Sequence, residues 1–255
     1  MRDPDEGVAA DGTITTGASR ARVPPAFEQV LSAAIAGAGH GASVYVYGSV
    51  ATGQARPPRS DVDLVTFGLE PQTARTLGRD LSGQFGVLCR GVEIVAATPD
   101  GLAGESDEAY GNRVFLRHYC VHVAGPDYRR GPPGFPADAR AARGFNGDIA
   151  RHAAAWRGAL ARGDEPGQLG RRLARKTLLA VAGLVSVHDA TWTTDRALAA
   201  HRWGELKPGL APALRLLLSW SDGQELPAGP AVRHALDTTV PRITEAFAIS
   251  IGLWP

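Results

Sequence analysis

The 255-residue sequence is poor in several things that would otherwise steer its reading. Cysteine occurs only twice, as Cys89 and Cys120, without framework spacing. That excludes a disulfide-stapled scaffold and makes a reducing cytoplasm the expected compartment. Lysine is equally scarce, at positions 176 and 207 only, so nearly all basic residues are arginine. Together with abundant Ala, Gly and Pro, this reads as the coding bias of a GC-rich genome, in which a single arginine carries less functional meaning. Long hydrophobic runs are missing too. The longest apolar stretch lies near LLAVAGLV, residues 178–185, far short of a bilayer span, so no membrane partner is expected. The opening MRDPDEGVAADGTITTGASR has early acids and no apolar core, and no secretory signal is expected there. Net charge is only +1, so the whole chain lacks the electrostatic footprint of a nucleic-acid binder.

What is present is an ordinary globular composition, 44% apolar and 21% charged, with ample length for a core. Residues 1–24 are polar and aperiodic and are expected as a flexible tail. Residues 25–38 open on proline and continue with helical spacing. SVYVY, DLVTF, GVEIVAA and HYCVHVAG read as strands. Between the second and third of these, PQTARTLGRDLSGQF places Ala74, Leu77, Leu81 and Phe85 on one helical face. The Pro- and Gly-dense GPDYRRGPPGFP then predicts a linker at 131–137. Beyond it, residues 138–255 are Ala-, Leu- and Arg-rich with helical periodicity and about five expected helices. The predicted fold class is α+β over residues 25–130, followed by an all-α bundle over 138–255.

One constellation stands out. In DVDLV, Asp61 and Asp63 are two apart and so project from the same side of a strand, about 6.5–7 Å apart along the chain. Unpaired burial of such a pair would cost several kcal/mol. A divalent cation between them removes the repulsion, and Mg²⁺ is characteristically held by one or two carboxylates plus substrate phosphates. Two such ions would clamp the attacking and leaving oxygens of an in-line displacement at phosphorus. Glu93 stands alone among apolar residues in GVEIVAA and needs a partner. If its strand lies beside DVDLV it completes a trio, either as a metal ligand or as the base that takes a hydroxyl proton.

Gly48 and Ser49, at the end of SVYVY, suit a sharp turn whose backbone N–H groups and hydroxyl can hold the terminal phosphates of a nucleotide. The following loop carries Arg56 and Arg59, which could reach phosphate. Gly48-Ser49, the loop, Asp61-Val62-Asp63 and the later Glu93 resemble the active-site signature of the DNA polymerase β-type nucleotidyltransferase superfamily. Within it the chain looks most like the aminoglycoside adenylyltransferases, which have a helical C-terminal domain. Eleven residues separate Ser49 from Asp61, where many relatives have ten. The resemblance implies a mixed β-sheet flanked by helices, ATP as the nucleotide, Mg²⁺, and transfer of AMP to a hydroxyl of a polyhydroxylated small molecule with release of pyrophosphate. The acceptor is expected in the cleft between the domains, where small-molecule sites tend to occur. The alternatives are an antitoxin-like enzyme acting on protein or tRNA, and a non-catalytic nucleotide-binding protein.

The second half adds a basic helix. From residue 140 to 176 there are nine basic residues against three acids, a local excess in a nearly neutral chain. Arg171, Arg172, Arg175 and Lys176 fall on adjacent helical stripes. Such charge would stabilise departing pyrophosphate; relatives place basic residues on the corresponding helix, which favours Lys176 with Arg172 or Arg175. His118, Cys120 and His122 alternate as if on one strand face, but zinc needs four ligands and no second cluster accompanies them, so packing is expected. The five tryptophans are expected in the bundle core, with Trp192 also a candidate for an acceptor pocket.

Overall fold

Two strand systems of unequal weight organise the first half of the chain. The computed structural model describes residues 3–129 and 133–255. A short antiparallel pair comes first, β1 (Gly7–Val8) with β2 (Ile14–Thr15). The segment expected as a flexible tail is therefore folded over residues 3–24. Ile14 and Val23 are buried, Arg20 pairs with Glu28 at 2.5 Å, and Arg22 pairs with Asp5. Two buried aliphatics and two ion pairs fix a stretch whose polar composition suggested nothing to anchor it.

Helix α1 (Glu28–Ala38) follows a turn at Pro25–Phe27, buries Val30, Leu31 and Ala34, and ends at Gly39, whose φ of 80° suits glycine. Strand β3 (Ser43–Tyr47) leads directly into the single helical turn α2 (Gly48–Ala51). Next come β4 (Val62–Phe67), α3 (Pro71–Gln84), β5 (Val92–Ala97), α4 (Asp107–His118) and β6 (Val121–Ala124). The sheet order is β5-β4-β3-β6, with β4 and β5 parallel and the other pairs antiparallel, which makes the sheet mixed. Period-2 alternation sorts the faces. Val44, Val46, Val62, Leu64, Val92 and Ile94 join residues of α1 and α3 in one core. Tyr45, Val65 and Phe67 form a second cluster on the opposite face, with Leu116 and Cys120. At Gly78 of α3 a Cβ would stand 2.9 Å from the Val92 carbonyl oxygen, so glycine lets the helix sit close on β5.

His118 is a correction to the sequence reading. It ends α4, capped at its start by Ser106, rather than alternating along a strand with Cys120 and His122. Its Nε2 accepts the backbone N–H of Phe135 at 2.9 Å, so the ring is neutral there. Phe135 is buried, and its carbonyl accepts the Ile14 N–H. Of the predicted linker, residues 131 and 132 lie outside the described residues, and the chain divides after Phe135.

The second unit holds Ala10–Gly12 and Pro136–Pro255. Among the described residues it contains α5 (Ala139–Asn146), α6 (Ile149–Ala161), α7 (Pro166–His188), α8 (Arg196–Leu206), α9 (Ala211–Asp222), α10 (Gly229–His234) and α11 (Val240–Ser250). That is seven helices rather than about five, because Gly147 splits the first and a π-helical turn, Ala235–Thr239, joins the last two. Helix α7 is the hub. It contacts α5, α6, α8, α9, α10 and α11 and buries Leu173, Leu178 and Leu184 completely or nearly so. Glu165 caps its start by accepting the Gly167 and Gln168 N–H groups at 2.7 and 2.6 Å. Trp156, Trp192, Trp203 and Trp220 are buried, and Trp254 donates its indole N–H to the Arg143 carbonyl. Among the described residues no helix is long and apolar enough to cross a membrane.

Burial, with the Arg117 charge next to it, holds the His118 imidazole down at about 4, against 6.5 in the open chain. The unfolded ring takes up its proton first, so the native state loses stability as pH falls from about 6.5 toward 4. With solvent screening allowed for, the loss should be ~1 kcal/mol. Urea unfolding across that range should show a shallower dependence for His118→Gln; an equally steep one would clear His118 of the effect.

Candidate active site

Strand register assembles the acids. Asp63 of β4 is the direct parallel partner of Glu93 of β5, while Val62 and Leu64 partner Val92 and Ile94. Asp63 and Glu93 therefore stand side by side on one face, and the apolar pairs fill the core on the other. Glu93 is exposed and Asp63 half-buried. Across the sheet Asp63 faces Tyr47, the last residue of β3. Burial, then the charges of Asp63, Cys120 and Glu93, push the Tyr47 hydroxyl far above its ordinary range, so a neutral phenol borders the acids. Its ring is fixed edge-on against Phe115 at 5.1 Å.

The turn that follows β3 is built against the same carboxylate. Gly48 has φ of 68°, and a Cβ there would lie 2.7 Å from Asp63 Oδ2. Both the backbone sign and the space demand glycine. Ser49 occupies the next position of the α2 turn, whose end is held by the Thr52 hydroxyl on the Gly48 carbonyl at 3.2 Å. Arg59 is exposed on the loop before β4. That loop closes through Ser60, whose Oγ accepts the Arg56 N–H at 2.8 Å.

Asp61 precedes β4 and is engaged. Arg90 donates Nε to Asp61 Oδ1 at 2.9 Å and Nη2 to Oδ2, a two-pronged grip. The hydrogen bond to Asp61 and the charges of Asp61, Glu93 and Asp63 raise the Arg90 guanidinium above its ordinary value, placing it in the field of all three acids. The sequence reading did not single out Arg90. Its signal is the register itself: three residues before Glu93, it falls opposite Ser60, and its backbone N–H donates to Ser60 O at 3.0 Å.

The donor set suits a hard divalent cation. Three carboxylates supply oxygen ligands, and the adjacent Asp63 and Glu93 need a positive charge close by. Arg90 supplies part of that charge at Asp61. Among the described residues, no group of three His, Cys, Asp or Glu side chains is already gathered as a metal site.

The remaining candidates lie in the second unit. Arg172 and Arg175 are exposed on α7, and Arg175 Nε donates to Ser221 O at 3.4 Å. Lys176 donates to the Phe145 carbonyl at 3.0 Å and lies 2.7 Å from Asp148, a close ion pair whose geometry falls short of a hydrogen bond. Arg196 is lowered by burial and by Arg175 beside it, so these guanidiniums are neighbours. Trp192 packs on Phe145 and lines a small cavity of about 80 Å³ with Asn146, Lys176, Thr193 and Thr194.

Residues 31–98 match the model of the nucleotidyltransferase domain family. The matched span runs from α1 through β5 and includes Gly48, Ser49, Asp61, Asp63 and Glu93. The chain carries a nucleotidyltransferase domain over that span and is a nucleotidyltransferase. Its fold is similar to that of spectinomycin adenyltransferase AAD(9) from Enterococcus faecialis, solved with ATP and spectinomycin. The TM-score is 0.55 at 11% identity, over 87% of this chain and 98% of that one. The likeness extends through the helical half. No curated protein matches the chain.

Gly48→Ala should cost ~1–2 kcal/mol through its positive φ. By displacing Asp63 it should also reduce turnover by roughly 10²-fold. Urea unfolding and pyrophosphate release measure the two effects. Activity at the wild-type level would detach the turn from the carboxylate.

Proposed function

We propose that the chain is a Mg²⁺-dependent adenylyltransferase. It would move AMP from ATP onto a hydroxyl of a small polyhydroxylated acceptor of the aminoglycoside or spectinomycin type, as in antibiotic resistance. The observation that carries this reading is the pairing of Asp63 with Glu93 directly beneath the Gly48 turn. ATP and spectinomycin in the similarly folded AAD(9) support the choice of nucleotide and acceptor class.

In this reading Asp61, Asp63 and Glu93 would hold Mg²⁺, with two ions the expected number. Bound there, the ions supply charge neutralisation at the phosphates and at the attacking oxygen. The Gly48 turn would receive the β- and γ-phosphates on backbone N–H groups and the Ser49 hydroxyl, with Arg59 near the same loop. Glu93, the most exposed of the three acids, is suited to take the acceptor's proton. The acceptor oxygen then bonds to the α-phosphorus, the bond from that phosphorus to the bridging oxygen breaks, and pyrophosphate leaves with the electron pair. Arg172 and Arg175 would add positive charge for the leaving group. Lys176 has committed its ammonium to Asp148 and Phe145 and would need to give up those contacts to join them. Tyr47, kept neutral, bounds the acid pair without adding charge.

The test is pyrophosphate release with Mg²⁺ over a panel of nucleotides and of aminoglycoside and aminocyclitol acceptors. ATP with one of these acceptors should give the highest rate. Asp63→Asn and Glu93→Gln should each lower it by about 10²–10⁴-fold without loss of fold. Undiminished turnover in Asp63→Asn would remove the assignment, and label passing from ATP only to lysate protein or tRNA would reassign the acceptor.

A further inference from the structure

Arg90 has no task in the reaction just described, yet it grips one of the proposed ligands. Its backbone is pinned to Ser60 O at 3.0 Å, which holds its Cα close to Asp61. Its guanidinium then covers both Asp61 oxygens. A cation approaching Asp61 meets a positive group already in place, and arginine does not shed its proton to yield. The arm itself is free to leave, since its side chain is 64% exposed while that of Asp61 is only 21% exposed. The charges facing Arg90 are Asp61, Asp63 and Glu93, the same acids a divalent ion would use.

We propose that Arg90 is a built-in counter-ion that competes with the divalent cation for Asp61, so that metal loading requires the guanidinium to let go. This rests on the metal-site reading given above. It explains how Asp61, Asp63 and Glu93 coexist at a sheet end before an ion arrives. It also means that the ion concentration needed for loading is set partly by a residue that is not a ligand.

Mn²⁺ binding, followed by calorimetry and by the electron paramagnetic resonance signal of the free ion, separates the possibilities without reference to activity. Wild type, Arg90→Gln, Arg90→Lys and Asp63→Asn would be compared at low ionic strength. Arg75→Gln on the exposed face of α3 serves as a control for loss of a positive charge. Arg90→Gln should bind Mn²⁺ about 3- to 10-fold more tightly, Arg90→Lys should fall between, and added salt should shrink the difference. Unchanged or weaker binding in a folded Arg90→Gln, with Asp63→Asn still abolishing binding, overturns the role of Arg90 alone. Equal Mn²⁺ binding by wild type and Asp63→Asn, or none by either, overturns the metal site and this inference with it.

Discussion

The parallel register of β4 on β5 is the constraint on which the site depends. It sets Asp63 beside Glu93, an arrangement that repels in any protein with nothing to offset it. Much of the local structure reads as accommodation of that pair. The opposite face of the same strands is apolar apart from the buried Thr66 and fixes the register, because a slip of one residue would turn the carboxylates into the core. Tyr47 adjoins them as an uncharged phenol. Gly48 leaves room for an oxygen where any side chain would collide. Arg90 brings a counter-charge to Asp61 beside them.

Strands and acids were legible in the sequence because alternation and isolation are local signals. SVYVY, DLVTF and GVEIVAA carry β-branched runs, and Glu93 is conspicuous as the lone acid in the last of them. Arg90 was not legible. Its meeting with Asp61 spans 29 residues and depends on how α3 seats itself on β5 through Gly78, which no local pattern encodes. The folded N-terminal segment was missed for a similar reason. Ile14 and Val23 are single aliphatics in polar text, and Thr16 finds its acceptor, the His118 carbonyl, far along the chain. The extra helix break at Gly147 also has a distant cause. The C-terminal Trp254 binds the Gly147 carbonyl through its own N–H at 2.9 Å, and its ring leaves no space for a Cβ there.

The basic helix shows the opposite limitation. Its charge excess was plain from composition, but a count of charges says nothing about which are already spent. Lys176 lies close to Asp148 and Arg175 leans toward Ser221, contacts within the second unit that a linear reading could not separate from free cations. Arg172 is exposed on the same helix, whereas Arg196 lies 4.0 Å from Asp222. Basic residues close together on one helix can therefore differ in availability.

Among the described residues β5 is paired on one side only, which leaves a row of backbone donors and acceptors at the rim of the sheet. Val95, half exposed on that strand, would invite another chain to zip on. Glu93 is the neighbouring outward side chain, and a charge in such a place discourages edge-to-edge joining. The carboxylate proposed for proton transfer would thus also guard the open edge of the sheet. In that reading a neutral residue at this position would give up edge protection together with the proton acceptor, so one side chain answers two demands.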